Sequence, residues 1–143
     1  MTTQEQLTQV FNDNFVTYFR SFVAHVNITG RNFRSDHKLL QGVYERRQAE
    51  IDVIAELIRS VGEFMPDSLG RVLDDAKIAT YEMSGESDEL LAEVRGDLEE
   101  LKACFEELDR ISGEEGHSEI QNYAQEQILD LAKSIWMLNS TLD

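Results

Sequence analysis

Histidine and carboxylate at helical spacing are the residues of this chain best suited to chemistry. The sequence holds three histidines, His25, His37 and His117. His25 and His37 flank a short segment around Gly30, so their imidazoles can approach each other. After His37 come Gln41, Asp52 and Glu56, at offsets of 4, 15 and 19 residues. At about 100° per residue these fall near 40°, 60° and 100°, so all four side chains share one helical face. Asp52 and Glu56 form an i,i+4 carboxylate pair that can present two oxygens to one metal. Imidazole and carboxylate together suit iron, manganese or zinc.

Distance limits what one chain can do. Fifteen residues of helix place His37 roughly 22 Å from Asp52 at a rise of ~1.5 Å per residue. Two chains remove the difficulty if this helix packs antiparallel on its copy across a two-fold axis near Tyr44 and Glu45. His37 of one subunit then faces Asp52 of the other, and the isologous contact makes two equal sites. The residues alone leave a second reading open, in which the acid pair is simply exposed and the histidines pack at an interface.

The elements that must position these groups are helical. Leu7, Val10, Phe11, Phe15, Tyr18, Phe19, Phe22, Val23 and Val26 recur at steps of three and four, then stop at Asn27-Ile28-Thr29-Gly30. Phe11, Phe15, Phe19 and Phe22 read as a core stripe. A second helix is predicted from Ser35 or Asp36, carrying Leu39 through Val61 and closed by Gly62. The connector that follows holds the only proline, Pro66, and a short helix capped by Asp67 or Ser68. A third long helix is predicted past Gly85, through Leu91, Val94, Leu98, Leu101, Phe105 and Leu108, until Ser112-Gly113-Glu114-Glu115-Gly116 breaks it. The fourth runs from Ile120 to Leu142. The fold class is therefore all-α, a single four-helix-bundle domain over 1–143, with a short extra helix in the crossover between helices two and three.

Composition narrows the function. With 28 acids against 13 bases the formal net charge is −15, a surface that repels nucleic acid and anionic lipid and attracts cations. The single cysteine, Cys104, excludes an internal disulfide framework and fits a small core residue in a reducing compartment. No stretch approaches the ~20 apolar residues of a membrane span. With no signal-peptide pattern at Met1–Gln6, a cytoplasmic location is expected. Glu114-x-x-His117 has the ligand spacing of di-iron bundles but falls in the Gly-broken segment, without a second copy. Trp136 and Met137 read as packing residues. Asn27-Ile28-Thr29 and Asn139-Ser140-Thr141 match a glycosylation sequon without a secretory context.

The segment His25-Val26-Asn27-Ile28-Thr29-Gly30-Arg31-Asn32-Phe33, followed by His37 and by Asp52-Val53-Ile54-Ala55-Glu56, resembles the signature of the Dps family. That family, the mini-ferritins, has a His-Trp-Asn-x-x-Gly-x-x-Phe loop, a second His twelve residues after the first, and a later Asp-x-x-x-Glu. The likeness extends through the Pro66–Ile78 connector and Ile135-Trp136-Met137-Leu138, covering nearly the whole chain. It implies a ferritin-like bundle and a homo-oligomer, a hollow dodecamer. It also implies oxidation of Fe(II) to Fe(III) at inter-subunit sites, with hydrogen peroxide or oxygen, and storage of the ferric product inside. Carried over by position, His25 and His37 are the metal ligands of one subunit and Asp52 and Glu56 those of its two-fold mate.

Two residues depart from the pattern. Gln41 stands where the family has an Asp, which makes it a weak ligand for a second iron position. Val26 replaces the Trp beside the first His. A shell with a weakened or inactive oxidation centre, acting as a structural or DNA-protecting protein, is the alternative these departures raise. DNA binding through a terminal tail is not expected, because the first lysine is Lys38 and the chain ends Thr141-Leu142-Asp143. In an assembled shell, Glu119 and Glu126, seven residues apart on one helical face, are expected to line a pore for iron, since a ring of carboxylates lowers the barrier for a divalent cation.

Overall fold

Thr2 starts the first helix, its hydroxyl accepting the Glu5 amide at 3.1 Å, so one of the unpaired donors of the first turn is satisfied. In the computed structural model, which describes residues 1–143, five helices follow: α1 (Thr3–Asn27), α2 (Phe33–Ser60), α3 (Leu69–Asp75), α4 (Ser87–Glu114) and α5 (Ser118–Leu142). The four long helices form two hairpins, α1–α2 and α4–α5, with α1 packed on α4. The 61–86 crossover carries the short α3, as the connector's composition predicts, and Ser68 caps it. Leu7, Val10, Leu40, Ile54, Ile58, Leu98, Phe105, Leu108, Ile120 and Leu138 fill the space between helices.

Two boundaries differ from the sequence-based expectation. The α2 helix starts two residues early, at Phe33, with Asn32 at the cap and no side-chain cap bond. Asp36 does not cap it: the carboxylate is buried and accepts the Ser87 hydroxyl at 2.9 Å, fastening the start of α2 to the start of α4. The third long helix runs on through Ser112 and Gly113 and ends with Gly116 at φ +80°, where His117 N–H reaches back to the Ser112 carbonyl at 2.8 Å. Gly113 stays helical against the Gln121 side chain, whose amide end lies 2.5 Å from where a Cβ would stand and would have to shift to admit one. Glu114 is therefore the last residue of α4 rather than a loop residue.

The phenylalanine stripe is only partly core. Phe11 is buried, but Phe19 is 53% exposed and Phe22 is also exposed. Trp136, at 63% exposed, and Met137 do not pack within the subunit either. The five-turn periodicity of α1 is wider than the face it offers to α2 and α4, so its outer flank stays apolar and uncovered.

Two buried ion pairs cross the bundle. Arg47, 1% exposed, donates to Asn14 Oδ1, Gln127 Oε1 and Asp130 Oδ2 at 3.0–3.2 Å, linking α1, α2 and α5. Arg20 Nε meets Asp97 Oδ2 at 2.7 Å between α1 and α4, with the Tyr81 ring over the guanidinium. Burial pushes the Asp97 carboxyl up to about 6, against the pull of Arg20. A raised native value means that the folded state binds the proton first. This contribution is therefore present at low pH and is lost as pH rises from the ordinary carboxylate range through 6. Wild type should lose stability relative to an Asp97→Asn variant, on the order of 1 kcal/mol, between pH ~5 and ~7.5, measured as urea unfolding at both pH values.

Candidate metal centre

The loop that joins α1 to α2 brings the two histidines together by a reciprocal backbone clasp. His25 Nδ1 donates to the His37 carbonyl at 2.8 Å, and His37 Nδ1 donates to the His25 carbonyl at 2.6 Å. A carbonyl can only accept, so both rings carry a proton on Nδ1, which leaves Nε2 as the nitrogen of each ring available to a metal. The imidazoles stack with centroids 3.8 Å apart and 15° between planes. Phe33 closes the outer side of His37 at 4.9 Å, and Tyr44 lies 5.0 Å from the His25 ring.

The clasp needs a rigid loop, and several contacts supply it. Ile28 is buried, and Thr29 donates its N–H and its hydroxyl to the Gly85 carbonyl, both at 2.9 Å. Gly30 takes φ +131°, a conformation that side-chain-bearing residues rarely adopt, with Ser87 Cβ only 3.3 Å from where its own Cβ would stand. The Asp36–Ser87 bond anchors the next turn. Sequence reasoning missed Asp36, Ser87 and the carbonyl clasp. Only the pairing of Gly30 with a histidine on each side hinted at a fixed loop.

Asp52 and Glu56 project from α2, exposed and without a hydrogen-bond partner in the chain. Because α2 is one unbroken helix, they lie at the far end from His37, and no three His, Cys, Asp or Glu side chains of a single chain gather around a metal position. Gln41 is half-buried on the histidine face, its amide N–H donated to Glu45 Oε1 at 2.9 Å, so its carbonyl oxygen is the group left to face a cation. Val26 is 56% exposed beside the clasp.

The bundle interior offers no alternative seat. Bundle proteins that hold metals inside use facing carboxylates and histidines. Here the Arg47 guanidinium occupies that space, neutralising Asp130 and sitting beside Glu50, whose Oε1 is bonded by Gln127 at 2.9 Å. Glu114 pairs with Arg110, and His117 Nδ1 is 3.8 Å from Glu119, so the Glu114-x-x-His117 spacing gathers no ligand set. Glu119 and Glu126 are exposed near the start of α5, with Asn122 donating to Glu126. Cys104 is buried and burial holds its thiol well above the usual range, in keeping with a core residue.

Residues 4–143 match the family model described as ferritin-like domain. A curated relative, the DNA protection during starvation protein of Helicobacter pylori, is 29% identical over 143 residues, 99% of each chain. The crystal structure of Helicobacter cinaedi CAIP superposes with a TM-score of 0.92 at 31% identity, over 99% of this chain and 100% of that one. The Dps protein of Vibrio cholerae O1, described as a member of a broad superfamily of ferritin-like diiron-carboxylate proteins, has a TM-score of 0.93. At 23% identity over 99% of this chain and 89% of that one, this last likeness speaks for the fold alone.

Proposed function

This chain belongs to the Dps family of ferritin-like proteins, and from that premise we propose that it oxidises Fe(II) with hydrogen peroxide at sites shared between subunits and stores Fe(III) inside a hollow dodecamer. The observation that carries the reading is the histidine clasp. It holds two free Nε2 atoms at one end of α2, while the matching carboxylates stand uncommitted at the other end. An antiparallel two-fold contact along α2 completes the ligand set twice. Iron is here the substrate. Two Fe(II) and one peroxide give two Fe(III) and two waters, with two protons taken up. Mixed imidazole and carboxylate ligation suits iron, and the bundle interior is already filled by Arg47.

The uncovered apolar flank supports assembly. Phe19, Phe22, Val26 and Phe33 lie exposed near the clasp, and Phe64, Met65, Leu69 and Leu73 are exposed on the crossover. A lone subunit would leave these in water, and burying such side chains is worth ~25 cal/mol per Å². Light scattering at neutral pH should give about twelve times the 16.4 kDa subunit mass. A species of one or two subunits would remove the basis of the shared site.

The function is tested by stopped-flow Fe(II) oxidation on wild type and on a His37→Ala, Asp52→Ala double variant. Rapid oxidation in wild type and its loss in an assembled double variant are expected. Equal rates would overturn the reading. Gln41 favours one alternative, a shell with a weakened or inactive centre that serves as a structural or DNA-protecting protein, since its amide is neutral and its N–H already committed to Glu45. The iron-storage reading expects negligible affinity for duplex DNA at ~150 mM salt, because a net charge of −15 on each subunit repels a polyanion. A gel shift in the submicromolar range without added metal would favour the alternative. Glu119 and Glu126 would serve as the pore acids of such a shell, and a cytoplasmic setting fits the free cysteine.

A further inference from the structure

Resting on the two-fold iron site above, we propose that Phe64 of each subunit roofs the histidine end of the other subunit's site, seating on Val26 and Phe33 and keeping bulk water from the bound iron.

The ligands set the register of the contact. With His37 opposite the partner's Asp52, each step from His37 toward the loop is a step toward the C-terminal end of the partner's α2. Seven residues before His37 is Gly30, and seven after Asp52 is Arg59. The partner's Arg59 therefore stands level with the α1–α2 loop, roughly 10 Å beyond His37 at ~1.5 Å per residue. It is also on the facing side. Arg59 follows His37 by 22 residues, which places it about 40° around the helix, on the face that carries Asp52 and Glu56.

Phe64 is held against this residue. The chain reverses at Gly62, with φ +91°, and lays the Phe64 ring over the Arg59 guanidinium at 4.2 Å. The guanidinium donates to the Glu63 carbonyl at 3.0 Å, which keeps its charge occupied within its own chain. Phe64 is the most exposed aromatic side chain of the subunit, at 79%. Nothing in its own chain covers it.

The surface that receives it is the other half of the same face. Along α1, Thr8, Phe15, Phe19, Phe22 and Val26 form one stripe at steps of three, four and seven. Phe22 meets Tyr44 at 5.1 Å, so this stripe and the ligand face of α2 make one surface. Phe64, Met65 and Pro66 wall a cleft with Thr8 and Asn12, so the crossover occupies the first half of the stripe. Phe19, Phe22 and Val26 are bare in the second half, and Phe33, stacked on the outer side of His37, is bare beyond them. A two-fold axis near Tyr44 exchanges the halves and brings the partner's Phe64 onto Val26 and Phe33. Burial of these three side chains favours the contact. Water driven from the site no longer screens the carboxylates from the ion.

Two measurements on assembled shells, verified by light scattering, test the contact and its effect. A Val26→Cys, Phe64→Cys variant and a Phe33→Cys, Phe64→Cys variant, treated with a short bismaleimide, should give a species of twice the subunit mass on a denaturing gel. The single-cysteine replacements should give far less. The link cannot close within one chain, because the 26 residues from Phe33 to Arg59 span roughly 39 Å of one unbroken helix. Phe64→Ala should then release anaerobically bound Fe(II) to bipyridine several-fold faster than wild type, and Phe64→Leu should restore the slow release. Absence of the linked species in both double variants, or release at the wild-type rate from Phe64→Ala, would overturn the roof and leave the iron site standing. A wild type that binds no Fe(II) would overturn the iron site and the roof with it.

Discussion

Replacing Asp52 by Asn should abolish the fast phase of Fe(II) oxidation while leaving the assembly intact. Asp52 is exposed on α2 and makes no hydrogen bond or ion pair within its own chain, so the fold does not depend on its charge. Asparagine keeps the size and shape of the side chain and removes only its charge and the second carboxylate oxygen. At the shared site that charge is half of what Asp52 and Glu56 supply against a dication. A charge a few Å from an ion is worth on the order of 1–4 kcal/mol per unit of ion charge at an effective dielectric of ~20–80, which takes the affinity down at least about tenfold. Stopped-flow absorbance, with light scattering on the same sample, separates a lost ligand from a lost shell. Oxidation at the wild-type rate would mean that the site lies elsewhere or that iron is not oxidised here.

Gln41→Asp should act in the opposite direction. The side chain sits one turn after His37 on the ligand face, and its amide N–H is held by Glu45. Aspartate there exchanges a neutral oxygen for a charged one beside the second iron position. The same electrostatic range of about 1–4 kcal/mol per unit of ion charge makes binding of the second Fe(II) at least about tenfold tighter. The cost to the fold is small, since the added like-charge repulsion with Glu45, one turn on at i,i+4, amounts to about a few tenths of a kcal/mol. Titration calorimetry under anaerobic conditions should therefore find about one strong Fe(II) site per histidine pair in wild type and two in the variant. Oxidation by peroxide should be faster in the variant. Two equally strong sites in wild type would show that Gln41 does not weaken the centre.

The sequence by itself determined the helices, their order and the residues that could meet a metal. Steps of three and four among apolar residues are a property of one helix, and they survive burial because each long helix turns one face to the same core. The 15-residue separation of His37 and Asp52 was equally legible, because a helix converts sequence distance into length without help from its surroundings. The tertiary structure decided what periodicity cannot express. Phe19, Phe22 and Trp136 read as packing residues because hydrophobicity does not say whether a side chain is covered by its own subunit or by nothing in it. The start of α2 moved to Phe33 because Asp36 is bonded to Ser87, fifty-one residues away, rather than to its own helix end. The histidine clasp, too, lay beyond the sequence. Its partners are backbone carbonyls, which every residue carries, and only the path of the loop past Gly30, pinned by Thr29 to Gly85, aims two of them at two imidazoles.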